Sequence, residues 1–403
     1  MRYALGLLLT VMGLFFKSQG IQEEWIIFIH GTFGLRQHLE LKTFITLFKE
    51  DISQSDYKKT IDILRDDPFL YKNQPMQQLG LHEIMITTEK HPHGAQLFAQ
   101  LFDKLYYENS SPTVKYFTFG WSGVVSHKIR YLEALKLYQA LREKIQEAAK
   151  NGITPKISIY GYSHGGNVIL NLAQVRHDYY PDDTFAIDHI ILLGTPIQKE
   201  TDYHICDPLF TKATNIYSRA DRIQKLDCFS FRRFFSYRRF HNCRRYKLPS
   251  KLRQIEIRIR DHINDRDYDR SPGHIELWFF GWPEHKKALY RGHFPLHPLP
   301  VILFIPQILD TVEQTAQSTS VVIELLPYLS KITVRTRYRR KKTWTDFLPY
   351  EKISRMQEEA RQNKPDSFDR STYLAHIKTA RQLERHHKNM CPRHQKRNGL
   401  CGC

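Results

Sequence analysis

The chain has 403 residues, with 60 Lys and Arg against 42 Asp and Glu, for a formal net charge of +18. That length can bury a full core, and a hydrophobic content of 41% with 25% charged residues is ordinary for a folded protein and excludes a wholly disordered chain. The charge excess is concentrated: residues 330–403 carry 19 basic and 7 acidic side chains. Such a run suits nucleic acid, anionic lipid or plain solvent, and with no nucleic-acid-binding module beside it, nucleic acid is set aside as a partner.

Residues 1–20, MRYALGLLLTVMGLFFKSQG, combine Arg2, an apolar run from Tyr3 to Phe16, and small residues Ser18 and Gly20. The run is short for crossing a bilayer. A cleaved signal ending before Ile21 is expected, with a retained anchor or a buried N-terminal helix as alternatives. The expected location is therefore secreted or periplasmic, with membrane association left open. Export would permit disulfides among Cys206, Cys228, Cys243, Cys391, Cys401 and Cys403, which sequence cannot pair. The terminal CPRHQKRNGLCGC lacks paired C-x-x-C spacing, so a disulfide or free thiol is expected there rather than a zinc site with His394.

The first buried strand is Trp25–Ile29, running into the turn His30-Gly-Thr-Phe-Gly34. Residues 35–111 read as amphipathic helical pieces, including Leu39–Phe48 and Ala95–Tyr107, broken by Pro68, Pro75 and Pro92. Such a stretch is too long for a simple strand-to-helix connection and is expected to be a helical insertion able to cover a site. A strand at Val114–Phe119 ends at Gly120-Trp-Ser-Gly123. A helix then places Ile129, Leu132, Leu135, Tyr138, Leu141, Ile145 and Ala148 three or four residues apart and stops at Asn151-Gly152.

The next stretch, KISIYGYSHGGNVILNL at 156–172, is a strand entering a glycine-rich turn and then a helix. Gly161-Tyr-Ser163-His-Gly165 fits G-x-S-x-G, in which small residues let strand and helix approach while the serine takes a strained conformation and projects its hydroxyl. Ser163 is therefore the candidate nucleophile. Further strands are expected at Ala186–Leu193, closing on Gly194-Thr-Pro196, and at Thr214–Ser218. In Leu252–Arg260, Ile255, Ile257 and Ile259 alternate with Glu256, Arg258 and Arg260, a pattern expected of a half-exposed strand near a sheet edge. Between the last two lies FSFRRFFSYRRFHNCRRYK at 229–247, where aromatics interleave with arginines and no acid occurs. It suits either an anionic membrane surface or an ordinary packed loop.

The alternation of strand and helix signals predicts an α/β fold with a mostly parallel sheet covered on both faces. Residues 295–330 are apolar and proline-interrupted, expected as helices on the body or at a lipid surface. The composition shift at Ser330, followed by RTRYRRKK at 335–342, places the folded domain at 21–330 and leaves 331–403 as a basic tail, with segments such as 352–362 and 371–387 helical but lacking a core of their own.

HGTFG after a first strand, GYSHGG at the elbow, ILLGTP after the next strand and NIYSRAD after the one beyond together resemble the α/β-hydrolase superfamily, in its lipase and serine-esterase branch, over about residues 25–290. The resemblance implies a sheet lacking that family's first two strands. It assigns the oxyanion hole to the backbone N–H groups of Thr32 and His164, and gives His30 a shaping role. The order Ser, acid, His implies Asp221 as acid, with Asp227 as runner-up. His274, in Ser-Pro-Gly-His-Ile-Glu-Leu, is the implied base over His262, His285 and His293. The implied reaction is hydrolysis of a carboxylic ester, with a lipid ester as the expected substrate class and no metal or organic cofactor. Thioesterase and acyltransferase use the same triad, and an inactive scaffold binding a membrane or partner is the rival of another class. No GxxxxGK, GxGxxG or HExxH motif is present.

Overall fold

The computed structural model describes residues 21–32, 78–86, 94–107, 113–124, 126–225, 236–264, 266–282, 294–315, 318–337, 341–364 and 382. Strand β1 (Ile21–Ile29) is apolar on both faces from Trp25 onward. Trp25, Ile27 and Ile29 face one core, and Ile26 and Phe28 the other. A strand with this composition is stable only in the interior of a sheet covered on both sides. β2 (Gly80–Ile84) and helix α1 (Gly94–Tyr106) follow, then β3 (Thr113–Gly120), α2 (His127–Lys150), β4 (Ile153–Tyr162), α3 (His164–Tyr179), β5 (Ile187–Leu193), β6 (Phe210–Tyr217), β7 (Leu252–Ile263) and β8 (Arg266–Asp269). The described chain continues through α4 (Ile305–Thr315), β9 (Ser320–Leu326), β10 (Lys331–Thr336), β11 (Thr343–Asp346) and α5 (Tyr350–Gln362).

The strands form one sheet in the order β11-β10-β9-β7-β6-β5-β4-β1-β3-β2, with β8 folded back on β7. Neighbours from β3 to β9 are parallel, and the outer pairs β2–β3, β9–β10 and β10–β11 are antiparallel. Helices α2 and α3 cover one face, and α1, α4 and α5 the other. The expected α/β architecture is therefore present, with helices on both faces of a largely parallel sheet. Ser126 caps α2, its side chain accepting the Ile129 N–H at 3.3 Å, and the helix stops at Asn151-Gly152, where Gly152 has φ +70°. Its buried stripe is rotated from the one read in the sequence: Leu132 is exposed, while Arg130 and Glu133 are buried, Arg130 donating to the Gln198 side chain at 2.8 Å.

Four expectations are corrected. The described parts of 35–111, residues 78–86 and 94–107, are not an added cover of helices. β2 pairs antiparallel with β3, and α1 buries Leu97, Phe98, Leu101 and Phe102 in the core beneath β1. Leu39–Phe48 lies outside the described residues. Nor does the domain end at 330. Ile332 and Val334 of β10, Phe347, and Ile353, Met356 and Ala360 of α5 all belong to the same core, so the charged stretch after Ser330 supplies two strands and a helix. Burying an Ile or Met side chain contributes about 1.5–3 kcal/mol, enough for a polar, basic segment with few apolar residues to dock. Residues 371–387 lie, apart from Gln382, outside the described residues. In 295–330 the apolar run packs on the body as expected, but its end, Ser320–Leu326, is a parallel strand beside β7.

The fourth correction concerns β7, which is not near an edge: it lies between β6 and β9. Its polar face is covered by charge. Glu256, fully buried, meets Arg219 at 2.9 Å, Arg258 at 2.6 Å and Arg337 at 3.8 Å. Glu324 on β9 meets Arg258 at 3.7 Å, Arg260 at 3.5 Å and Lys342 at 2.5 Å. Burial alone would raise the Glu324 carboxyl, but its bond to Lys342 and the neighbouring arginines hold it below the usual carboxylate range. A periodicity of two thus marks two chemically different faces, and on the second Glu256 is buried and Arg258 and Arg260 are part-exposed, each carboxylate being shared among several cations.

Candidate active site

Ser163 links β4 to α3 with φ 52° and ψ −127°, a sparsely populated conformation for a residue with a side chain. The close approach that holds it there is visible at the neighbouring glycines. A Cβ on Gly165 would lie 2.5 Å from the His30 carbonyl oxygen and 2.7 Å from that of Ile29, so α3 passes directly against the end of β1. The Ser163 N–H donates to the Leu193 carbonyl at 2.9 Å, tying the elbow to the end of β5.

The His30–Thr32 loop at the end of β1 lies against the elbow: a Cβ on Gly31 would be 2.8 Å from Ser163 Cβ. His30 holds the loop's shape. Its Nδ1 donates to the Gly31 carbonyl at 2.7 Å and its Nε2 accepts the Trp121 N–H at 3.1 Å, while Trp121 Nε1 donates to the His30 carbonyl at 2.7 Å. Both ring nitrogens are engaged, which fits a shaping role rather than proton transfer. Thr32 follows Gly31 in this turn and His164 follows Ser163 at the start of α3, where helix-start N–H groups lack intrahelical acceptors. Such donors stabilise negative charge on an oxygen held between them.

The three side chains named for catalysis converge across 111 residues. His274 Nε2 is 2.9 Å from Ser163 Oγ, and His274 Nδ1 is 2.7 Å from Asp221 Oδ2. All three are buried, Asp221 completely. A carboxylate only accepts, so Nδ1 carries the proton and Nε2 presents a lone pair to the serine hydroxyl. The other Asp221 oxygen, Oδ1, accepts the Gln224 N–H at 3.0 Å.

Sequence reasoning missed the groups that hold Asp221 and His274 in place. Tyr162, beside the nucleophile, donates its hydroxyl to the His274 carbonyl at 3.0 Å and packs its ring 4.8 Å from the imidazole. Burial, with the Asp221 and Glu276 charges adding, pushes the Tyr162 phenol well above its ordinary value, so it remains a donor. Trp278 stacks on the Tyr162 ring at 5.3 Å. Gly194 of ILLGTP has φ +58°, and a Cβ there would lie 3.1 Å from Asp221 Oδ2 and 3.3 Å from His274 Nδ1. The only signal for Tyr162 was its place beside Gly161, Gly194 was legible as the turn glycine closing its strand, and nothing singled out Trp278.

Among the competing bases, His262 sits on the exposed β7–β8 hairpin, paired with Asp267 at 3.0 Å and stacked on Tyr328. His285, His293 and Asp227 lie outside the described residues. So do Arg232 and Arg233 of the basic aromatic run. Of the described part of that run, Ser236 to Phe240 dock on the body at Ser236 and Phe240, while His241 to Arg245 and Lys247 are exposed. Phe240 is buried, Arg239 lies over the Tyr217 ring, and Arg238 bonds to the backbone of the acid loop. Cys206 and Cys243 are exposed free thiols, and the other four cysteines lie outside the described residues. Among the described residues no helix is long and apolar enough to cross a membrane, and no group of three His, Cys, Asp or Glu is placed to hold a metal.

The site therefore pairs a strained serine at a helix start with a buried, carboxylate-oriented imidazole, an arrangement able to transfer a proton from the hydroxyl as it attacks an electrophile. No protein-family model matches the sequence, and no curated protein matches it.

Proposed function

We propose that the protein is a serine hydrolase of carboxylic esters, of α/β-hydrolase architecture, with lipid esters as the substrate class. The observation that carries this reading is the continuous hydrogen-bonded chain from Ser163 Oγ through His274 to Asp221, at 2.9 and 2.7 Å, on a serine held at φ 52°. Its members follow the order Ser, Asp, His, each from the loop after a different strand of the sheet. That order and placement support the hydrolase fold.

In the first half-reaction Ser163 Oγ attacks the ester carbonyl while His274 Nε2 takes its proton. The oxyanion faces the N–H groups of Thr32 and His164, and the imidazolium returns the proton to the departing alcohol. Water then gives its proton to the same nitrogen, attacks the acyl-enzyme and releases the acid, restoring the Ser163 hydroxyl. Asp221 holds the tautomer and stabilises the imidazolium. The nucleophile and base need no metal for these steps.

The test is labelling with a serine-directed fluorophosphonate together with turnover of p-nitrophenyl esters of varied acyl length. Wild-type protein is expected to label and turn over, and Ser163→Ala to lose labelling and at least about 10⁴-fold of the rate while unfolding at the same urea concentration. Folded wild-type protein that neither labels nor hydrolyses would favour a non-catalytic scaffold. Retained turnover in the alanine variant would refute Ser163 as nucleophile.

A further inference from the structure

Asp221 spends one carboxylate oxygen on His274 and the other on the Gln224 N–H within its own loop, so neither ties that loop to the 236–240 segment. The anchor is on the backbone. The Arg238 guanidinium donates through Nε to the Asp221 carbonyl at 3.0 Å, through Nη2 to the same oxygen, and through Nη2 to the Arg219 carbonyl at 3.1 Å. A planar fork bridging two carbonyls two residues apart fixes the path of the chain between them, which a single-point donor does less well.

Arg238 is itself held. Its carbonyl accepts Asn215 Nδ2 from β6 at 3.0 Å, and its neighbour Tyr237 exchanges backbone hydrogen bonds with Ile197 at 2.8 and 3.0 Å. Phe240, buried, accepts and donates to the Gln254 side chain of β7 at 3.2 and 2.9 Å. Gln224 closes the circuit, donating to the Thr195 carbonyl at 2.6 Å. Burial lowers the Arg238 pKa from its usual value, and the Asp221 carboxylate is the largest charge acting against that cost.

From this geometry we propose that Arg238 is a positioning residue for the acid: by clamping the Asp221 and Arg219 carbonyls it holds the Asp221 carboxylate at bonding distance from His274 Nδ1. It touches neither substrate nor the reacting atoms. The idea rests on the hydrolase reading for its kinetic consequence, but its structural consequence can be read without any substrate.

Three variants decide it. Arg238→Met removes both donors, Arg238→Gln keeps one short neutral donor, and Arg238→Lys keeps the charge with a single ammonium. In wild-type protein the proton shared by His274 Nδ1 and Asp221 should give a far-downfield proton resonance, absent in Asp221→Asn. The methionine and glutamine variants are expected to lose or displace that resonance and to lower kcat about tenfold or more, with KM within about twofold of wild type. The lysine variant is expected to regain part of kcat. Folded methionine or glutamine variants with unchanged resonance and unchanged kcat would overturn the proposal, as would lower thermal stability alone with kcat intact. Should the methionine variant fail to fold, the glutamine variant is judged by the same two readouts. Wild-type protein that shows the resonance but no ester turnover would count against the hydrolase reading and leave the resonance comparison to judge Arg238.

Discussion

The nucleophile elbow and the acid–base corner are within hydrogen-bond reach of each other, yet different interactions hold them. At the elbow the determinant is missing atoms: α3 passes the end of β1 so closely that a single methyl at Gly165 would lie 2.5 Å from a carbonyl oxygen. At the corner it is a set of directed bonds from separate segments, with Tyr162 on His274 and Arg238 on the Asp221 loop. A serine on a turn needs space, which glycine provides locally. A carboxylate and an imidazole from loops 53 residues apart need orientation, which only distant partners supply.

The contrast can be broken at the elbow first, where the largest effect is expected. In Gly165→Ala the new Cβ faces backbone oxygens of His30 and Ile29, which cannot rotate away. A loss of about 3 kcal/mol in unfolding free energy by urea titration is expected. A loss under about 1 kcal/mol would mean that the elbow yields and is not set by backbone contact.

Gly194→Ala sharpens the other side. Its Cβ would meet Leu277, Asp221 and His274 side chains at 2.9, 3.1 and 3.3 Å, and the φ of +58° adds strain. Stability should fall by about 1–2 kcal/mol, the cost of a left-handed non-glycine residue. Turnover should fall about ten- to a hundredfold, because the two partners it displaces are the proposed acid and base. Unchanged kcat, or a stability loss exceeding that of Gly165→Ala, would erase the contrast between elbow and corner.

The smallest effect concerns histidines away from both regions, as a control on pH profiles. Burial, with Lys212 and Lys156 nearby, lowers His189 to about 3, and burial, with His127, lowers His204 to about 4. Both lie below the unfolded value of about 6.5, so on acidification the unfolded chain takes up protons first. The stability these neutral histidines provide is complete above about pH 6.5 and is lost as pH falls towards about 4 and 3, at up to about 1.4 kcal/mol per pH unit for each. His189, bonded to Thr214 Oγ1 at 2.9 Å, is the one to test. His189→Gln should lose less stability than wild type between pH 6.5 and 5 by urea titration; parallel losses would show that His189 does not contribute.

Much was legible in the chain itself. G-x-S-x-G between a strand and a helix located the elbow, and chain order with a Pro-Gly loop picked His274 from 20 histidines. These features are local because a tight turn is specified by the few residues that compose it. The apolar strands β1, β3, β4 and β5 were equally plain, since a strand buried on both faces has little polar sequence to disguise it.

Other features required the tertiary structure. Glu256 and Arg258 on β7 read as solvent-facing, and only the tertiary neighbours, β6 and β9 on either side with Arg219 and Arg337 arriving from elsewhere, leave Glu256 buried. The basic run after Ser330 read as a tail because charge dominates its composition, while its few apolar residues, Ile332, Val334, Ile353 and Met356, decide where it docks. Arg238 read as equally suited to a membrane or to a packed loop, and its partners are backbone carbonyls of Arg219 and Asp221. A side chain's chemistry is written in the sequence, but carbonyls look alike at every position, and which of them a guanidinium reaches is settled only when the strands are side by side.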